Sequence, residues 1–124
     1  MTTPCKRILY VDDDPDGHEL LSYHLDECEL VAAETMTDWL RLIENEKFDL
    51  YVFDLLLPDG NALELCRRIR ESDQRTPIII LSGDVREFVK TEVEEVGAQR
   101  FITKPVDHED LAGIILTLIE GRAP

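Results

Sequence analysis

Short apolar runs recur along the chain and are separated by stretches that have a helical spacing of apolar residues. The runs are four or five residues long and consist mostly of aliphatic and aromatic side chains. They cover residues 7–11, 30–33, 50–53, 78–81 and 100–103. Continuous runs of this length are typical of strands that are buried on both faces of a parallel sheet. The pattern therefore predicts five strands.

Each run is followed by a stretch in which apolar residues recur every three or four positions. These stretches predict amphipathic helices within residues 20–28, 39–43, 63–69, 88–96 and 111–119. Strict alternation of strand and helix predicts an α/β fold of the doubly wound (βα)5 type. Its five-stranded parallel sheet would carry helices on both faces, joined by right-handed crossovers.

Polar residues and glycines at the ends of the helical stretches predict where helices begin and end. Thr37 is the predicted N-cap of the second helix, and Asp84 and Asp107 are the predicted N-caps of the fourth and fifth helices. Gly97 stands where the fourth helix should end.

The composition adds an acidic excess to this picture. The chain has 124 residues, with 13 Lys and Arg against 27 Asp and Glu, which gives a formal net charge of −14. This length fits one domain over residues 1–124. We expect a core at about 7–120 and a tail or the start of a linker at 121–124.

The charge and the cysteines exclude several classes of protein. Direct binding to nucleic acid or to an anionic membrane surface requires clusters of Lys and Arg, which are missing here. No apolar run approaches the ~20 residues of a membrane span, and no signal peptide precedes the first strand. Cys5, Cys28 and Cys66 are odd in number and form no CxxC pair. We therefore expect a cytoplasmic protein.

The residues that follow the predicted strands form the candidate site, because ligands of open α/β sheets bind at the carboxyl ends of the strands. Asp12 and Asp13 follow the first strand, Asp54 the third, Ser82 the fourth and Lys104 the fifth. Three carboxylates at one edge repel one another, and a hard cation such as Mg²⁺ relieves that repulsion. A metal, a lysine, a hydroxyl and a nucleophilic carboxylate are the groups that phosphoryl transfer requires.

Four segments, in this order, are similar to the receiver domain of response regulators in two-component signal transduction, the family of the chemotaxis regulator. The segments are residues 8–14, 53–60, 81–83 and 101–105. Each stands at the carboxyl end of a predicted strand, and the resemblance extends over about residues 7–120. It implies a flavodoxin-like fold with the strand order 2-1-3-4-5.

The resemblance also implies the acceptor and the metal ligands. Asp54 matches the aspartate that accepts the phosphoryl group. Asp13 matches the direct Mg²⁺ ligand, and Asp12 matches its partner, which usually acts through water. Leu56, two residues after Asp54, would offer its backbone carbonyl, and Mn²⁺ could replace Mg²⁺.

The remaining matched positions concern the phosphoryl group and switching. Ser82 and Lys104 match the residues that contact the incoming phosphoryl group, and Ser82 and Phe101 match the switch pair. Pro105 matches a proline that commonly follows a cis peptide bond. One departure is Ala62, which stands where the family usually has glycine.

The function implied is that of a signalling domain, not an enzyme. A sensor histidine kinase or a histidine phosphotransfer protein would donate the phosphoryl group, and a downstream effector would read the change. Two alternatives stay open. An aspartyl-phosphate phosphatase usually has a second carboxylate where this chain has Leu56, and a phosphate-independent interaction module would not need the acidic set.

Overall fold

The computed structural model of the protein describes residues 6–12, 14–57, 59–84 and 86–120. Within these ranges the strands are β1 (Lys6–Val11), β2 (Cys28–Ala33), β3 (Leu50–Asp54), β4 (Leu56–Leu57), β5 (Gly60–Asn61), β6 (Ile78–Ser82) and β7 (Arg100–Thr103). The helices are α1 (Pro15–His24), α2 (Met36–Asn45), α3 (Ala62–Ser72), α4 (Glu87–Glu95) and α5 (His108–Glu120).

The five long strands form one parallel sheet in the order β2-β1-β3-β6-β7. Counted among the long strands alone, this is the order 2-1-3-4-5, so the predicted fold is confirmed. Val11 pairs with Phe53, and Ser82 pairs with Thr103. This register brings the carboxyl ends of β1, β3, β6 and β7 to one edge of the sheet. The short strands β4 and β5 form a separate antiparallel hairpin, which was not predicted.

The sheet separates two hydrophobic cores, because successive side chains of a strand point to opposite faces. Leu9 and Val11 of β1 lie in the core that α2, α3 and α4 cover. Ile8 and Tyr10 lie in the core that α1 and α5 cover. Both faces of the central strands are therefore buried, which explains why those strands are continuously apolar.

Two of the predicted helix caps were wrong. Thr35, not Thr37, is the N-cap of α2, and its side chain accepts a hydrogen bond from a backbone N–H of the first turn. The N-cap of α4 is Arg86, whose side chain makes no capping hydrogen bond. The carboxylate of Asp84 instead accepts from the backbone N–H and the side chain of Arg86. A local turn at Asp84 therefore delays the start of α4.

The other two predicted helix ends are confirmed. Gly97 has a φ of +87°, in the left-handed region that glycine adopts readily, and it follows α4 directly after Val96. Asp107 Oδ1 accepts from the backbone N–H groups of Glu109 and Asp110, at 2.8 and 3.0 Å, at the start of α5. In the described part of the chain, no helix combines the length and the apolar character needed to cross a membrane.

Candidate functional site

Charged side chains meet where the parallel strands end. Lys104, directly after β7, donates from Nζ to Asp54 Oδ2 at 2.7 Å and to Asp12 Oδ2 at 3.5 Å. Asp54 ends β3, and Asp12 follows β1. One ammonium group thus lies between two carboxylates whose residues are 42 positions apart in the chain. The ion pairs join three strands that are distant in sequence.

The carboxylate of Asp54 is largely buried, and both of its oxygens accept hydrogen bonds. Oδ1 accepts from the backbone N–H of Leu56 at 3.2 Å, and Oδ2 accepts from Lys104. Burial raises the pKa of the Asp54 carboxyl, and the negative charge of Asp12 adds to that rise. The hydrogen bond and the charge of Lys104 oppose the rise without cancelling it. An added cation would therefore stabilise the ionised form of Asp54.

Lys104 keeps its proton in this environment. Burial alone would lower the pKa of its ammonium group, but the hydrogen bond to Asp54 and the charges of Asp12 and Asp54 outweigh burial, so the pKa is raised. A fixed positive charge beside Asp54 suits the stabilisation of an anionic group transferred to that carboxylate.

The carboxylate of Asp12 is held by two donors besides Lys104. Oδ1 accepts from the backbone N–H of Asp14, and Oδ2 accepts from the hydroxyl of Tyr10, each at 3.0 Å. Burial, together with the charge of Asp12, raises the pKa of Tyr10, so that the phenol stays protonated and donates. Tyr10 was not among the predicted site residues. The sequence does contain a signal for this contact: Tyr10 and Asp12 are two residues apart, which places their side chains on the same face of β1.

The connection between Asp54 and α3 is tied to a second helix. Asp59 accepts from the backbone N–H of Met36 at 2.8 Å and from the backbone N–H and hydroxyl of Thr37, each at 3.3 Å. The hydrogen bond from Met36 is the main reason that the pKa of Asp59 is lowered. Asp59 therefore caps the N-terminus of α2 from a different part of the chain, which was not predicted.

The backbone after Asp54 leaves one large apolar side chain at the surface. Leu56 is 69% exposed, although its backbone N–H bonds to Asp54. Ala62, which replaces the glycine usual in the resembling family, is fully buried at the start of α3. Its backbone N–H donates to the carbonyl of Leu55 at 2.9 Å.

The two predicted switch residues lie on the adjacent strands β6 and β7. The hydroxyl of Ser82 is buried and accepts from the backbone N–H of Asp84 at 2.9 Å. Phe101 is partly buried and packs against the core beneath α4. The peptide bond between Lys104 and Pro105 is cis.

The oxygen atoms available as ligands at this edge belong to carboxylates and to the backbone, and such oxygens suit a hard divalent cation. The predicted ligand Asp13 lies outside the described residues. Among the residues that are described, no group of three acidic, histidine or cysteine side chains gathers at metal-binding distance. Asp12 and Asp54 both contact the ammonium group of Lys104, so the two carboxylates face the same point at this edge.

Three comparisons with known proteins agree with this geometry. Residues 8–116 match the family described as "Response regulator receiver domain". The Alkaline phosphatase synthesis transcriptional regulatory protein PhoP of Bacillus subtilis (strain 168) is 35% identical over 102 residues, which are 81% of this chain and 42% of that protein. The Response regulator protein PilR of Pseudomonas aeruginosa is 32% identical over 121 residues, which are 96% of this chain and 27% of that protein. The chain thus spans less than half the length of these relatives.

A solved structure with the same fold is similar over almost the whole chain. It is a response regulator receiver domain protein (CheY-like) from Methanospirillum hungatei JF-1, with 30% identity and a TM-score of 0.85. The match covers 95% of this chain and 96% of that one.

Proposed function

Because the chain belongs to the response regulator receiver domain family, we propose that Asp54 accepts a phosphoryl group from the phosphohistidine of a partner protein. The partner would be a sensor histidine kinase or a histidine phosphotransfer protein. The observation that carries the proposal is the contact of one lysine ammonium with two largely buried carboxylates where the strands end. Receiver domains are signalling domains, and the chemistry here would serve to switch a surface.

In the proposed reaction, an oxygen of Asp54 attacks the phosphorus atom of the phosphohistidine. The new P–O bond forms as the P–N bond breaks, and the imidazole leaves with the electron pair and takes up a proton. Lys104 would neutralise the charge on the oxygens of the transferring group. Ser82, whose oxygen accepts from Asp84, would donate its own proton to one of those oxygens.

Asp12, Asp13, Asp54 and the backbone carbonyl of Leu56 would hold Mg²⁺, and Mn²⁺ would be a suitable substitute. The bound ion would supply positive charge to the oxygens of the transferring group. Asp12, after β1, and Asp54, at the end of β3, would orient toward the ion. Lys104 would keep its hydrogen bond to Asp54. The raised pKa of Asp54 supports this assignment, because a buried carboxylate with excess negative charge nearby favours a cation.

The phosphorylated form would then present a different surface to a downstream effector. Ser82 and Phe101 lie on the adjacent strands β6 and β7, and α4 begins after the loop that Ser82 bonds. A shift of Ser82 toward the phosphoryl group would break its bond to Asp84 and release that loop. Phe101 would follow by repacking, since it has no hydroxyl to form a new hydrogen bond.

The proposal is tested with phosphoramidate, whose P–N bond resembles that of phosphohistidine. In the presence of Mg²⁺, intact-protein mass spectrometry should show the addition of one phosphoryl group that hydroxylamine removes. Asp54→Asn should remain unmodified. Asp14→Asn is the control, because asparagine preserves the N-cap of α1 at a neighbouring exposed carboxylate. Equal labelling of Asp54→Asn would overturn the proposal, and multiple turnover of an aryl phosphate would indicate a phosphatase instead.

A further inference from the structure

Tyr10 is a core tyrosine whose hydroxyl points at the candidate metal site. Its side chain lies in the core beneath α1 and α5 and is only 2% exposed. The hydroxyl nevertheless donates to Asp12 Oδ2 at 3.0 Å. Phenylalanine would fill the same hydrophobic space without a polar atom, so packing alone does not account for the hydroxyl.

Gly17 of α1 provides the space for that hydroxyl. A Cβ atom at this position would lie 2.7 Å from the tyrosine oxygen, which is closer than real Cβ contacts, and 3.5 Å from Cζ. Glycine in a helix costs about 1 kcal/mol relative to alanine. Helix formation therefore does not favour glycine here, whereas the position of the Tyr10 hydroxyl requires it.

Because the Tyr10 hydroxyl donates to Asp12, each of the two carboxylates has a close side-chain donor of its own. Lys104 makes its short contact with Asp54, at 2.7 Å, and a longer one with Asp12, at 3.5 Å. Tyr10 provides the shorter bond, 3.0 Å, to the Asp12 oxygen that Lys104 contacts at 3.5 Å. Together with the backbone N–H of Asp14 on the other oxygen, it fixes the plane of the Asp12 carboxylate.

We propose that Tyr10 is a positioning residue for cation binding: its hydroxyl orients Asp12 toward the metal and leaves Lys104 bonded to Asp54, and Gly17 is the residue that makes room for it. The inference rests on the proposed function, because it assumes that Asp12 takes part in holding Mg²⁺. Partners that orient metal ligands typically change metal affinity by about 10- to 100-fold when they are removed.

The test is a Mg²⁺ titration of the purified chain, followed by backbone amide NMR without any phosphodonor. Tyr10→Phe should raise the Mg²⁺ dissociation constant by about 10-fold, the lower end of that range, since Asp12 would act through water. Tyr51→Phe is the matched control. Tyr51 is also a core tyrosine, only 4% exposed, but it lies near the opposite end of its strand, two residues after Asp49. The Tyr51→Phe variant should bind Mg²⁺ with the same dissociation constant as the unmodified chain.

A double-mutant cycle separates positioning from general destabilisation. Gly17→Ala should weaken Mg²⁺ binding in the chain with Tyr10, because the methyl group displaces the hydroxyl. In the Tyr10→Phe background the same substitution should change affinity little, because only the ordinary 3.5 Å contact with Cζ remains. The intrinsic helix effect of alanine is common to both backgrounds and cancels.

The possible outcomes distinguish the two proposals. If the unmodified chain shows no Mg²⁺ binding, the metal part of the proposed function fails and this inference fails with it. If the unmodified chain binds Mg²⁺ and Tyr10→Phe binds equally well, only the role of Tyr10 is overturned. Equal effects of Gly17→Ala in the two backgrounds would likewise overturn it. Circular dichroism and thermal midpoints of every variant establish that each titration reports on folded protein.

Discussion

Arg70 of α3 is expected to be a main determinant of stability at the end of the sheet opposite the candidate site. Its Nε and Nη2 atoms donate to the carbonyl of Gly97 at 3.1 and 2.9 Å. Nη1 donates to the carbonyl of Asp73, and Nη2 also donates to the carbonyl of Thr76 and the side chain of Gln99, each at 2.9 Å. One side chain thus links the end of α3 to the connections that lead into β6 and β7.

The substitution Arg70→Met tests this role, because methionine keeps much of the aliphatic volume and removes every donor. A hydrogen bond to a charged group contributes roughly 1.5–3 kcal/mol when it is lost singly. Here the acceptors are partly exposed and water would replace some donors, so we expect a total loss of about 3 kcal/mol. A domain of this size would then melt about 10 °C lower.

Arg67→Met is the matched control on the same helix. Arg67 lies one turn away from Arg70 and pairs with Glu64, and both side chains are more than half exposed. Such a surface pair contributes at most about 0.5 kcal/mol. Urea unfolding followed by circular dichroism should therefore separate the two variants by more than 2 kcal/mol, on the magnitudes above. Equal losses in Arg70→Met and Arg67→Met would refute the role given to the Arg70 hydrogen bonds.

Three further substitutions test the site and its surroundings. Lys104→Met should raise the pKa of Asp54 further, and an NMR titration of the carboxyl group measures this. An unchanged pKa would contradict the ion pair between Lys104 and Asp54. The pKa of Asp59 in the folded protein is lowered from 3.8, so the free energy of unfolding should fall as the pH drops below 3.8. It should fall less steeply in Asp59→Asn. Identical slopes of unfolding free energy against pH in the two proteins would exclude this cap. Gly60→Ala would place a Cβ atom against Met36 Sδ, near the flexible end of that side chain. It should cost about 1 kcal/mol, and adding Met36→Ala should reduce that loss in urea unfolding.

The pairing of Lys104 with Asp54 depends on features that are visible in the sequence. Both residues follow apolar runs, and the carboxyl ends of parallel strands meet at one edge. The prediction needed only the alternation of strands and helices, which makes the strands parallel. It did not need the path of any loop, and for that reason it reached residues that are far apart in the chain.

Contacts made by loops and by side-chain rotamers escaped prediction. Asp59 caps α2 because the hairpin of β4 and β5 carries it to the helix terminus, and nothing in the local sequence encodes that distance. Asp84 does not cap α4, because its carboxylate accepts instead from the backbone and the side chain of Arg86. Such outcomes depend on competition among several donors of similar energy.

The sequence by itself determined the order of elements, the sheet edge at which carboxylates and lysine gather, and the family. Periodicity and strand ends are properties of the chain that burial enforces wherever the elements pack. Only the tertiary structure decided which donor holds which oxygen: Tyr10 holds Asp12, Lys104 holds Asp54, and Gly17 leaves the room that this requires. Those choices depend on differences of a few tenths of an ångström between packed groups, which no pattern along a chain records.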